Sequence, residues 1–351
     1  MPMAGLASIQ TLRGIAVMGV LVAHLMSIEA KAGGDTLLSP VFNLGMAGVD
    51  LFFVISGFIM VHTSWAKPRG IGSVGSFLFA RATRIYPLYW LVTLALVPIW
   101  LYRPGLVFGS IPGEPNLLRN FLLLPDDRLP LLAVGWTLIH EVFFYLVFVL
   151  SLLIPRRWLV AFLGAWAVAV IAGSALGLGA VSPTTAILFS PLSLEFVAGA
   201  LAAVAFNATG RDNGWAALAV GLAWLLCAMA MAGPDPMAVF DDHLIRTALF
   251  GAPCALLAYG AARIEAGGQT FPAWLAAIGD SSYALYLTHV LTLTALSMLW
   301  RPFALPGLWD NLIALPALTA GAIALGFATW AWLERPALRT LRAFRPRHAT
   351  A

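Results

Sequence analysis

Ten apolar stretches, separated by polar connections, decide what this chain can become. By hydropathy they fall at Ser8–Ile28, Leu44–Ser64, Ile85–Leu101, Leu131–Ile154, Trp158–Leu178, Ala186–Phe206, Trp215–Ala232, Leu244–Ala262, Ser281–Trp300 and Leu312–Leu333. About 20 apolar residues in helical form cross the hydrocarbon core of a bilayer. In lipid every backbone amide must be satisfied within its own segment, which leaves the helix. The predicted fold is therefore all-α, a polytopic integral membrane helix bundle of about ten transmembrane helices. Composition agrees, since only 10% of the 351 residues are charged and 61% are hydrophobic. Soluble domains carry roughly 25% charged residues, so this chain has too little polar surface to clothe a water-soluble globule.

A net charge of +4 would point to nucleic acid in a soluble protein. Here the Lys and Arg of cytoplasmic loops account for it, and no nucleic-acid partner is expected. Lys67, Arg69, Arg81 and Arg84 lie between the second and third stretches, Arg156 and Arg157 after the fourth, Arg211 after the sixth and Arg263 after the eighth. Arg335, Arg339, Arg342, Arg345 and Arg347 follow the tenth. If ten spans alternate, all these connections share one side, while the opposite loops are mixed or acidic, as at Asp235, Asp241 and Asp242. Both termini are then cytoplasmic. With no internal repeat or low-complexity block, residues 1–335 read as one membrane domain and 336–351 as a basic cytoplasmic tail suited to anionic lipid.

Arg13 and His24 within the first stretch argue against a cleavable signal peptide. Cys227 and Cys254 both fall in apolar spans and fit neither a disulfide framework nor a metal site. The long outer connection from Tyr102 to Pro130 is either a solvated loop with a short helix or a lid over an acceptor site.

Ionisable groups inside a span cost about 2.5–3.5 kcal/mol on insertion scales, so they point to function. Arg13, His24, Asp50, Arg84, His140, Glu141, Glu195, Asp280 and His289 stand within or at the ends of spans. Arg13 and His24 are eleven residues apart on the first helix. Eleven steps of ~100° bring both to one face, roughly 16 Å apart along the axis. Alone, Arg13 would serve as a snorkelling interfacial arginine and His24 as an interhelical hydrogen bond. Together they suit a groove for a long anionic ligand.

Asp50, in GVDLFFVISGFIM, fits either a carboxylate that orients the His24 imidazole or a helix N-terminal cap. Glu141, in GWTLIHEVFFYLVF, is either a proton-handling group or half of an internal ion pair. His140 beside it points ~100° away and has no evident role. Glu195, in SLEFVAGAL, reads as part of an internal structural pair or of an acceptor or proton network. His289, with Tyr286 and Tyr283 one and two turns away, lies on a polar stripe. That stripe is either a satisfied core network or part of an acceptor or proton network. Arg81 and Arg84 form a neighbouring pair on a helix surface, suited to phosphate or explained by positive-inside charge alone.

These residues together resemble the acyltransferase-3 family of membrane acyltransferases, and within it the bacterial exopolysaccharide acetyltransferases of the ExoZ type. The likeness is carried, in family order, by LRGIAVMGVLVAHL, GVDLFFVISGFIM, the RATR–YPLYW element, GWTLIHEVFFYLVF, SLEFVAGALAA, IGDSSYALYLTH and the final ERP at Glu334–Pro336. The resemblance implies a multi-pass protein of the bacterial inner membrane that moves an acyl group, usually acetyl, from cytoplasmic acyl-CoA. The acceptor it implies is a polysaccharide sugar or a lipid-linked precursor. Acetyl-CoA is then a co-substrate, and no tightly bound cofactor is expected. The family's paired Arg and His fall on Arg13 and His24, and its Arg-x-x-Arg element on Arg81 and Arg84. Some relatives carry an added esterase-like domain, and this chain resembles the stand-alone members.

The mechanism this implies has acyl-CoA phosphates held by Arg13, Arg81 and Arg84. His24 is the general base, or transiently carries the acyl group, while Asp50 or Glu141 holds its tautomer or relays the proton. The alternative class is a proton-coupled secondary transporter, which the intramembrane Asp, Glu and His would also suit. The absence of repeated halves and paired broken helices counts against it.

Overall fold

The computed structural model describes residues 6–32, 39–108, 114–208, 210, 213–233, 236–305 and 307–344. Arg211, Asp235, Arg345 and Arg347, among the charges used above for orientation, lie outside the described residues. Among the described residues there is no strand, and ten helices are long and apolar enough to cross a membrane. They are α1 (Ala7–Ala32), α2 (Ala47–Ser64), α3 (Ile71–Tyr102), α4 (Trp136–Ser151) and α5 (Leu159–Ala175). After these come α6 (Ser193–Ala208), α7 (Gly214–Met231), α8 (His243–Ala266), α9 (Ser282–Trp300) and α10 (Leu308–Thr329). Each overlaps one predicted stretch.

The third helix differs most from expectation. It begins at Ile71 rather than near Ile85, because its first turns carry Ser73, Ser76, Arg81, Thr83 and Arg84 and escape a hydropathy window. Its start is fixed by polar contacts to the end of α4. The Gly70 N–H donates to Leu152 O at 2.8 Å, and the Arg69 guanidinium donates to Ser151 O at 2.8 Å. Arg81 and Arg84 are thus ten and thirteen residues inside a helix.

Contacts group the chain into two compact units. One comprises residues 1–62 and 194–330, the other 63–193 and 331–351. In the first, Glu265 at the end of α8 accepts from the Ala7 and Ser8 amides at 2.9 and 2.8 Å and from the Ser8 hydroxyl at 2.5 Å. A carboxylate from another helix therefore satisfies the opening amides of α1, which lack intrahelical partners. α2 and α6 meet through glycines. A Cβ on Gly57 would lie 2.0 Å from Phe196 O, and one on Gly199 1.8 Å from Val54 O. Close approach through small residues is how membrane helices gain packing contact without a hydrophobic driving force. It sets Asp50 and Glu195, on these two helices, into the buried interior.

In the second unit, aromatic residues of α3 hold a short helix of the connection between α3 and α4, Leu117–Leu122. The Tyr86 hydroxyl donates to Leu122 O at 3.1 Å, the Tyr89 hydroxyl to Asn120 O at 2.9 Å and the Trp90 indole to Phe121 O at 2.8 Å. The short helix expected in this connection is present and is docked on α3.

Candidate active site

α1 and α9 bring His24 and His289 together. Their ring centroids are 4.9 Å apart with planes at 77°, and His289 Nε2 is 3.3 Å from His24 Nδ1. His289 is fully buried, whereas His24 keeps partial exposure. His24 Nδ1 also lies 2.9 Å from Val20 O, one turn back. His289 Nδ1 lies 2.7 Å from Tyr286 O and 3.2 Å from Leu285 O. The Tyr286 ring packs 5.7 Å from His289 and 6.0 Å from Phe52, and both Tyr286 and Tyr283 are buried. The expected polar stripe on α9 thus faces the histidine of α1. Arg13, partly exposed eleven residues earlier, donates to the Gln10 side chain at 3.3 Å. Between the two, Val17 and Val20 are buried and give that face an apolar middle.

Asp50 has a different partner from either expectation. Its two carboxylate oxygens accept from Arg246 Nε at 2.7 Å and Nη2 at 3.0 Å, with both side chains buried. It neither orients His24 nor serves as a simple cap. Glu195, also buried, accepts from the Thr247 hydroxyl at 3.2 Å, one residue beyond Arg246. Glu195 thus bonds the residue next to the guanidinium that holds Asp50. The sequence reading passed over Arg246, although it lies inside the predicted eighth stretch. An ionisable residue inside an apolar run was the available signal.

The second unit holds the other candidates. The Arg81 guanidinium lies 5.3 Å from the centre of the Phe77 ring and 5.4 Å from that of Tyr145, with Thr63 Oγ1 at 3.4 Å from Nη2. The Tyr145 hydroxyl donates to the Glu141 carboxylate one helical turn away. Glu141 is therefore tied into the aromatic surroundings of Arg81. Arg84 is ion-paired to the buried Glu334. Glu334 closes a five-residue π-helical turn, Trp330–Glu334, a local geometry frequent at functional sites. The two arginines predicted as a like pair are therefore unlike: one is charge-balanced, the other stacked on rings. His140 is buried beside Trp136 and Phe144, and Asp280 is exposed at the end of the short helix Ala273–Asp280. Among the described residues no group of three or more His, Cys, Asp or Glu is arranged to hold a metal ion.

A bundle of membrane helices with an imidazole pair in one unit and an arginine–carboxylate cluster in the other now has a family. The profile of the acyltransferase-3 acyltransferase domain matches residues 6–331. The chain belongs to the acyltransferase-3 family.

This acyltransferase is 34% identical to the exopolysaccharide production protein ExoZ of Rhizobium meliloti (strain 1021), over 87% of its own length and 93% of that protein's. It is 27% identical to the acyltransferase MdmB of Streptomyces mycarofaciens, over 97% and 94% of the two chains. It is also 25% identical to the peptidoglycan O-acetyltransferase OatA of Listeria monocytogenes, over 43% of its own length and 25% of that protein's. No solved structure matches it. The membership decides between the two classes left open by the sequence: the protein is a multi-pass membrane acyltransferase, not a transporter that happens to carry buried ionisable groups.

Proposed function

We propose that this enzyme moves an acyl group, acetyl foremost, from cytoplasmic acyl-CoA to a hydroxyl of a bacterial exopolysaccharide or surface-polysaccharide sugar, or of its lipid-linked precursor. It does so in the bacterial inner membrane with both termini cytoplasmic, through one membrane domain (1–335) followed by a basic tail (336–351). The names of the ExoZ and OatA relatives support the carbohydrate acceptor and the acetyl group. The observation that carries the chemistry is α1 itself, with partly exposed Arg13 and His24 on one helix face and a buried apolar stretch between them. In this reading Arg13, Arg81 and Arg84 are the cations for the donor's phosphates, and Arg81, with no carboxylate partner among the described residues, is better placed for an anion than Arg84.

His24 takes the proton of the sugar hydroxyl as its oxygen attacks the thioester carbonyl. The C–S bond then breaks, and the coenzyme thiolate leaves with the proton returned by the imidazolium. General-base assistance of this kind contributes typically 10²–10⁴-fold. Asp50 and Glu195 act by holding the helices, and Glu141 acts through Tyr145 on the surroundings of Arg81.

Purified enzyme in nanodiscs, given acetyl-CoA and an exopolysaccharide oligosaccharide, should release free coenzyme thiol and yield an O-acetylated sugar. Succinyl-CoA and longer acyl-CoA arms define the donor. The proposal fails if no acyl-CoA supports transfer, or if His24→Ala turns over at the wild-type rate.

A further inference from the structure

The hydrogen-bond inventory of the imidazole pair fixes which nitrogen carries which proton. A backbone carbonyl oxygen only accepts. His289 Nδ1 faces two of them, Tyr286 O and Leu285 O, so it carries the ring proton, and in the neutral ring Nε2 offers a lone pair. That lone pair points at His24 Nδ1. His24 Nδ1 in turn faces Val20 O, which also demands an N–H there. Two separate contacts thus place the proton of neutral His24 on Nδ1, shared between Val20 O and His289 Nε2. The other tautomer of His24 would set the lone pair of its Nδ1 against that of His289 Nε2 and against Val20 O. The consequence falls on the far side of the ring: His24 Nε2 is the bare nitrogen, and it accepts no hydrogen bond among the described residues.

We infer that His289 is a positioning residue that holds His24 in the Nδ1–H tautomer, leaving Nε2 as the base, and that accepts from Nδ1–H when the ring becomes imidazolium. The inference rests on the reading of His24 as the base. His289 takes the part that a carboxylate takes behind a catalytic histidine elsewhere, but as an uncharged acceptor. A neutral ring suits this depth in the membrane, where a second buried carboxylate would be costly to ionise. Its own proton is anchored by the carbonyls of the preceding turn of α9, so its acceptor face cannot swing away without breaking two hydrogen bonds. Val20 O alone would leave the ring of His24 free to rotate about its last torsion; the second acceptor, on another helix, sets the plane.

The test has three arms. In wild-type enzyme in nanodiscs with ¹⁵N-labelled histidine, the His24 signals are assigned by their loss in His24→Ala. They should show Nδ1 protonated and Nε2 bare, and a protonated Nε2 in the neutral ring overturns the inference without any variant having to fold. His289→Leu should lower kcat by about 10–100-fold, less than the roughly 10²–10⁴-fold of losing general-base assistance altogether. It should leave KM for the donor unchanged and turn the His24 spectrum into a tautomer mixture. His289→Gln, whose side-chain oxygen replaces the Nε2 acceptor, should restore most of kcat and the single tautomer. A His289→Leu enzyme with wild-type kcat and an unchanged His24 spectrum sinks the inference. A fully active His24→Ala enzyme sinks instead the general-base reading beneath it, so the two failures are told apart.

Discussion

His24–His289 and Asp50–Arg246 are both polar pairs set among the apolar helices of one unit, yet they are finished differently. The ion pair is closed: both oxygens of Asp50 are engaged by one guanidinium, and both side chains are buried. The imidazole pair is closed on one side only. Three of its four nitrogens are engaged, and the fourth belongs to the ring that keeps some exposure. A polar group in lipid must be satisfied or it destabilises the fold. A closed network is what folding alone requires, and a nitrogen left open asks for another explanation. The same contrast separates Arg84, balanced by Glu334, from Arg81, which rests on two rings.

The contrast can be broken most sharply at His24. His24→Ala should lower transfer by at least about 10²-fold while the protein remains folded in the membrane, as judged by thiol release beside a size-exclusion profile. If the ion pair is structural, the next largest effect is on stability. Arg246→Met should destabilise by about 3–5 kcal/mol, because it leaves Asp50 buried and unpaired. The double change Asp50→Leu with Arg246→Met should recover much of that loss, seen as a thermal-unfolding midpoint closer to wild type. If the double variant is stable but inactive, the closed pair has a chemical part and the distinction drawn above is wrong.

The two arginines sharpen the comparison at a smaller scale. Arg81→Ala should raise KM for the acyl donor by about 10-fold, close to one charge-assisted hydrogen bond. Arg84→Gln should act chiefly on the unfolding midpoint, since it strands Glu334. Equal KM effects in the two variants would erase the difference. The smallest effect belongs to the connection between α3 and α4. Tyr89→Phe removes a single buried hydrogen bond to Asn120 and should cost about 1 kcal/mol, with donor KM unchanged. A large loss of transfer there would make the docked helix part of acceptor binding.

The sequence by itself determined the all-α membrane class, ten helices and their order, because hydropathy acts segment by segment and lipid permits one backbone solution. It also exposed most of the residues that matter, since an ionisable group in an apolar run stands out wherever it occurs. It misplaced the start of α3, where Arg81 and Arg84 dilute the apolar signal of a helix that packing sustains. Only the tertiary structure decided the partners. His24 is 265 residues from His289, Asp50 is 196 from Arg246, and Arg84 is 250 from Glu334. Asp50 looked equally fit to serve His24, and Arg81 and Arg84 looked alike. A side chain's chemistry is fixed by its type, whereas its role depends on which group lies within about 3 Å, and that distance is set by helices meeting through residues such as Gly57 and Gly199.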